Sequence, residues 1–147
     1  MKLKVYLAGP SKELEYRKIV KESYGDKLEL VDPMTITWPE VNEQIGENCN
    51  YVYVVQRDKK LILQSDILVA YVSFLSFGTI MEIMFAYDHG LPVYIISDND
   101  EYLDDAWVLF HSTKQWKTIK SCFDFIASRD QASIPREEHI IIARTNI

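Results

Sequence analysis

A single carboxylate, Glu82, stands in the apolar run Ile80, Met81, Glu82, Ile83, Met84, Phe85, just after a loop carrying Ser73, Ser76 and Gly78. A carboxylate beside a sugar ring in a partly dry site can attack an anomeric carbon. It stabilises an oxocarbenium-like transition state and forms a covalent glycosyl intermediate. Two further acids, Asp58 and Asp66, lie before and at the start of the apolar run "DILVAYVS". Gathered with Glu82 at one sheet end, they would raise one another's pKa, and one would stay protonated as a general acid for a departing base. The plainer readings are a surface glutamate, a helix-surface Asp58 and a turn Asp66.

Two short loops could seat the rest of a ligand. "SFLSFGT" (Ser73 to Thr79) feeds a helix, so its free N–H groups and the positive end of the helix dipole suit an anion such as phosphate, with Ser76 adding a hydroxyl and Gly78 admitting close approach. "AGPSK" (Ala8 to Lys12) offers Gly9, Ser11 and the charge of Lys12.

The elements that must position these residues are legible as alternating runs. "LKVYLAG" reads as β1, and "SKELEYRKIVKESYG" as a helix capped by Ser11 and stopped by Gly25. "KLELVDP" suits a second strand. Met34 to Asn50 has weak periodicity and reads as a loop with a helical piece. "YVYVVQRDKKLILQSD" begins β-branched, yet Tyr51, Val54, Val55, Asp58, Leu61 and Ile62 fall at helical spacing, which favours a helix.

"DILVAYVS" is apolar throughout, as a central parallel strand buried on both faces requires. A helix over about Thr79 to His89 follows, stopped by Gly90. "PVYIIS" gives the fourth strand, "AWVLFHS" the expected fifth, and "TKQWKTIKSCFDFIAS" an amphipathic helix. This alternation predicts an α/β fold: a flavodoxin-like, doubly wound, mostly parallel five-stranded sheet with helices on both faces and right-handed crossovers. In the order 2-1-3-4-5 the ligand crevice lies outside the carboxyl ends of β1 and β3, where both loops fall.

Residues 1–127 are expected to form the domain, and 128–147, with the apolar run Ile140 to Ala143, a tail packing on it or on a neighbouring subunit. The 147-residue length suits one core. A net charge of −6 argues against a nucleic-acid polymer or an anionic membrane as main partner. No apolar run approaches ~18 residues and the amino terminus lacks a signal-peptide pattern, so a cytoplasmic protein is expected. Cys49, Cys122 and the three histidines are scattered, which makes a metal site improbable.

"KVYLAGP", "RDKKLILQSDILVAYV", "SFGTIMEIMFA" and "GLPVYIIS" together resemble the successive signatures of the nucleoside 2-deoxyribosyltransferase family, which includes deoxynucleoside 5′-monophosphate N-glycosidases. The likeness runs from about Lys2 to Ser97. It implies cleavage of the N-glycosidic bond of 2′-deoxynucleosides through a glutamate nucleophile, with no metal or organic cofactor. Glu82 matches that nucleophile and Tyr6 the tyrosine that orients it. Asp58 and Asp66 match the acids that contact base and sugar.

Within the family, transferases pass the deoxyribosyl group to a second nucleobase, whereas the glycosidases pass it to water and hold a 5′-phosphate with serines near the nucleophile. Ser76 and the sixteen-residue step from Asp66 to Glu82 resemble the glycosidases. "GT" before the nucleophile and "GPSKELEYRK" resemble them less, so transfer is the favoured expectation and hydrolysis the alternative. A nucleotide-binding module without turnover is a third reading. The resemblance further implies a homodimer or higher homo-oligomer.

Overall fold

The apolar runs become the inner strands of one sheet. In a computed structural model, which describes residues 1–35 and 50–129, the order is β1 (Lys4–Ala8), α1 (Leu14–Tyr24), β2 (Glu29–Val31), a 3-10 turn (Pro33–Thr35), α2 (Asn50–Leu63), β3 (Ile67–Tyr71) and α3 (Phe77–Asp88). Then follow β4 (Val93–Ile96), α4 (Asp100–Leu103), α5 (Ala106–His111), β5 (Lys114–Trp116) and α6 (Ile119–Ala127). The five strands pair in the order β2-β1-β3-β4-β5, and every pairing is parallel. The fold is thus the doubly wound α/β sheet expected, with β1 and β3 adjacent, Ala8 opposite Ala70 at their carboxyl ends.

Strand alternation sorts the core onto two faces. Val5, Leu7, Val69 and Ile96 meet Tyr16 and Val20 of α1 and Phe123 and Ile126 of α6. Tyr6, Ala8, Leu68 and Ile95 point the other way, toward Ile62 of α2, Ile83 and Ala86 of α3 and Leu103 of α4. The segment with mixed signals before β3 is indeed a helix, because its 3-4 spacing gives Ile62 to this second core.

Two expectations give way. "AWVLFHS" is not a strand: it forms α5, because the Asp105 side chain accepts the N–H groups of Trp107 at 2.9 Å and Val108 at 3.2 Å and so caps a helix. The fifth strand instead lies within the expected last helix, where Lys114, Gln115 and Trp116 pair with Tyr94, Ile95 and Ile96. That helix begins only at Ile119, after Thr118 accepts the Ser121 N–H at 3.1 Å. Similarly, α1 starts after Glu13 rather than at Ser11, because the backbone first turns through a Glu13 N–H to Pro10 carbonyl bond of 3.0 Å.

Most of the Met34 to Asn50 segment and the tail beyond Arg129 lie outside the described residues, as does Cys49. Among the described residues no helix is long and apolar enough to cross a membrane.

Candidate functional site

Tyr6 is the middle residue of β1 and belongs to the face covered by α2 and α3. Its ring is fully buried, and its hydroxyl donates to Glu82 Oε1 at 2.6 Å. Glu82 lies in the second turn of α3, and its backbone neighbours Thr79, Ile83 and Ala86 are buried. The carboxylate is therefore carried into the body of the protein, half-buried, between α3 and the sheet. Burial is the main reason its pKa is pushed up to about 7, and the negative charge of Asp58 adds to it. The Tyr6 hydrogen bond and the positive charges of Arg17 and Arg57 oppose that rise. Burial likewise holds the Tyr6 phenol in its neutral, donating form, with the nearby charges of Glu82 and Asp58 reinforcing it.

Asp58 reaches this group from α2. Its Oδ1 accepts from Arg57 Nε at 2.8 Å and lies 2.7 Å from a second guanidinium nitrogen, which also donates to the Pro33 carbonyl at 3.1 Å. Burial raises the Asp58 pKa, and the Arg57 hydrogen bond and charge work against that rise. Two carboxyls held in different environments beside one tyrosine are the kind of pair whose roles can diverge, one ionised and one protonated.

Asp66 does not join them. It precedes the first residue of β3, at the amino end of the strand, where its Oδ2 accepts the Lys4 N–H at 2.9 Å and its own N–H donates to the Lys4 carbonyl at 2.8 Å. The three acids expected at one sheet end are thus two, because an acid placed before a parallel strand falls at the edge opposite the crevice.

The two loops fall as expected beyond the carboxyl ends of β1 and β3. Gly9 has φ +157°, and a Cβ there would come within 3.2 Å of the Tyr71 carbonyl oxygen, so the close approach of the loops needs glycine. Ser11 and Lys12 are exposed. The loops are tied by Ser73 Oγ donating to Glu13 Oε1 at 2.7 Å. Ser76 is the N-cap residue of the twelve-residue α3, with an extended backbone and no side-chain cap bond, so its hydroxyl is not spent on the helix. Gly78 is exposed in the first turn, with open space where a Cβ would be.

Arg17 went unnoticed in the sequence, yet it organises the first loop. Buried on α1, it donates Nε to Asp32 Oδ1 at 3.1 Å and its other nitrogens to the carbonyls of Gly9, Pro10 and Glu13 at 3.0, 3.1 and 3.1 Å. The signal was available: Tyr16, Arg17, Val20 and Tyr24 form one buried stripe of α1. An arginine in such a stripe must have partners, since a buried unpaired charge is too costly. Arg57 was missed for the opposite reason, because it is next to Asp58 in sequence and neighbours on a helix do not normally face each other.

A cavity of about 370 Å³ lies elsewhere, between α3 and α5. Its walls include Val72, Leu75, Ile80, Ile83, Met84 and Trp107, and Glu82 is not among them. Size and apolar lining would recommend it as a ligand site, but the paired titratable groups are on the α2 side of α3, and the chemistry follows them.

No protein-family model matches the chain, and no curated protein matches it. Solved structures do. A 2-deoxyribosyltransferase from the psychrotolerant bacterium Bacillus psychrosaccharolyticus superposes with a TM-score of 0.71 at 21% identity, over 90% of this chain and 96% of that one. A conserved protein from Enterococcus faecalis V583 gives 0.68 at 20% identity, over 88% of this chain and 100% of that one. The single-stranded-DNA-binding DNA processing protein A from Helicobacter pylori gives 0.57 at 12% identity, over 86% and 80%. At these identities the likeness is one of fold: the chain shares the α/β fold of a 2-deoxyribosyltransferase.

Proposed function

We propose that this chain cleaves the N-glycosidic bond of a 2′-deoxynucleoside or its 5′-monophosphate and transfers the deoxyribosyl group to another nucleobase. The observation that carries the reading is the 2.6 Å bond from the Tyr6 hydroxyl to Glu82 Oε1, which holds a half-buried carboxylate with its second oxygen available to a ligand. The shared fold with a 2-deoxyribosyltransferase supports it.

In this mechanism the ionised Glu82 attacks the anomeric carbon as the bond to the base breaks. The bonding electrons leave with the base nitrogen, and a protonated Asp58 delivers a proton to the base. Tyr6, neutral throughout, keeps one carboxylate oxygen in place while the other forms the ester. A second base then attacks the same carbon and releases Glu82, and its proton restores Asp58. Gly9, Ser11, Lys12, Ser76 and Gly78 line the sheet edge where the sugar and its 5′ group would rest. No metal ion or organic cofactor takes part.

The second reading is hydrolysis of a deoxynucleoside monophosphate to free base and deoxyribose 5-phosphate. It is favoured by Ser76, whose hydroxyl makes no cap bond at the start of a twelve-residue helix and suits a 5′-phosphate. Incubation with a deoxynucleoside or its monophosphate, with and without an acceptor base, separates the readings by chromatography. A new nucleoside formed only with acceptor supports transfer. Free base without acceptor supports hydrolysis. Tight binding with no base release would leave a nucleotide-binding module and overturn both, and full activity in Glu82→Ala would remove Glu82 from the mechanism.

A further inference from the structure

Each of the two carboxyls beside Tyr6 has one oxygen held and one left over. Tyr6 donates to Glu82 Oε1 at 2.6 Å. Asp58 Oδ1 accepts the Arg57 Nε–H at 2.8 Å and has Nη2 of the same guanidinium at 2.7 Å, while no donor among the described residues is bonded to Oδ2. That oxygen is not sealed in, since it is absent from the buried polar atoms that lack a partner. Side chains of adjacent helix residues do not normally face each other, so something must turn the guanidinium toward Asp58. The Pro33 carbonyl does so: Nη2 donates to it at 3.1 Å, which ties α2 to the turn after β2. With 11% of its side chain exposed, Arg57 is held between these two acceptors.

A guanidinium only donates, so the oxygen it touches is the one that keeps the negative charge, and a proton on Asp58 belongs to Oδ2. When that O–H bond breaks and the proton passes to a departing base, its electron pair stays on the carboxyl. The new charge then appears beside a guanidinium already in place. Because Arg57 stabilises the ionised carboxylate more than the acid, its contribution grows as the proton leaves, which is what accelerates a step. Its charge also reaches the neighbouring groups. Burial raises the pKa of Tyr6 on β1, Asp58 on α2 and Glu82 on α3, and Arg57 opposes the rise in all three, with Arg17 of α1 adding to that effect at Glu82. A buried carboxyl without such a partner would hold its proton too tightly to give it up near neutral pH.

We propose that Arg57 is a positioning residue for base departure, holding Asp58 by Oδ1 so that Oδ2 is the oxygen that carries the proton to the base. The role rests on the glycosidic cleavage proposed above. Arg57 acts through Asp58, so its loss changes what Asp58 does and adds nothing once Asp58 can no longer carry a proton.

Base release from a deoxynucleoside or its monophosphate, followed against pH in the full chain, tests it. Arg57→Met should lower kcat about a hundredfold with little change in KM, and should move the basic limb of kcat/KM to higher pH, because Asp58 loses the charge that eases its ionisation. Arg57→Lys should keep the limb near its original place yet recover only part of kcat, since an ammonium supplies the charge without the fork. Combined with Asp58→Asn, Arg57→Met should cost no more than Asp58→Asn alone. A carboxyl carbon NMR titration, with the Asp58 signal assigned by Asp58→Asn, reads the same shift without turnover, and Arg57→Lys supplies the comparison if Arg57→Met does not fold. A limb and an Asp58 titration that stay in place in Arg57→Met, full recovery of kcat by lysine, or additive losses in the double variant would each overturn the proposal while base release by the unmodified chain still stood. No base release by the unmodified chain would instead overturn the glycosidic reading, and the role of Arg57 with it.

Discussion

The Tyr6 hydroxyl donates to Glu82 across 76 residues of sequence, joining the middle of the first strand to the second turn of the helix after the third. The donor is fully buried and the acceptor half-buried, so the bond fixes which carboxylate oxygen is free and in which direction it points. Several measurable consequences rest on that geometry.

Replacing Tyr6 with Phe keeps the buried ring and removes only the donor. Loss of orientation at the carboxylate should lower kcat by roughly a hundredfold. The hydrogen bond also holds the Glu82 pKa below where burial alone would put it. Its removal should therefore shift the acidic limb of the kcat/KM profile to higher pH. An unchanged limb would mean that Glu82 is not the group being titrated.

Glu82 should leave its mark on stability too. Its pKa in the folded chain is about 7, above the ordinary 4.5. The folded state therefore binds the proton more tightly than the unfolded chain. The stabilisation this gives is complete below about pH 4.5 and is lost as pH rises through about 7. Glu82→Gln removes the ionisable group and should be the more stable protein at pH 8, by up to about 3 kcal/mol. At pH 4 that difference should vanish, as thermal melts across the range will read.

Arg17→Met should be severely destabilising, by roughly 3–5 kcal/mol in urea titrations, because it leaves the buried Asp32 without its guanidinium partner and strands three loop carbonyls. Lysine in its place should recover only part of the loss, since an ammonium cannot reproduce the fork that spans Asp32 and the loop. Lys21, 2.5 Å from Asp32 Oδ2, remains to soften the effect.

Asp66→Ala separates stability from chemistry. The substitution leaves the Lys4 N–H without its acceptor and should cost about 1–3 kcal/mol. At a temperature where the variant stays folded, base release should keep its kcat. A drop in kcat comparable to that of an Asp58 variant would return Asp66 to the site.

Much of this architecture was written in local pattern. A continuous apolar β3, the alternating helices and strands, and small residues after β1 and β3 are enough for a parallel sheet with its crevice at those two strand ends. They also single out Glu82, because a carboxylate in an apolar helical run must either be exposed or be held by something. The failures were local contests that pattern alone could not decide. "AWVLFHS" carries a strand's composition, but Asp105 before it satisfies two helix N–H groups. "KQW" has no strand signature and becomes β5 because β4 offers an open edge to pair with.

What the sequence by itself determined is the alternation of strands and helices from β1 to β4 and the presence of an acid, a tyrosine and two loops suited to a ligand. Only the tertiary structure decided which acids belong together. Asp58 and Asp66 are eight residues apart and chemically alike, yet α2 ends between them. The helix carries Asp58 to the side of Tyr6 and Glu82, while the turn delivers Asp66 to the far end of β3 and the Lys4 backbone. Side-chain type is a local property, but proximity is set by where each element starts and stops against the sheet, and that follows from packing the whole chain.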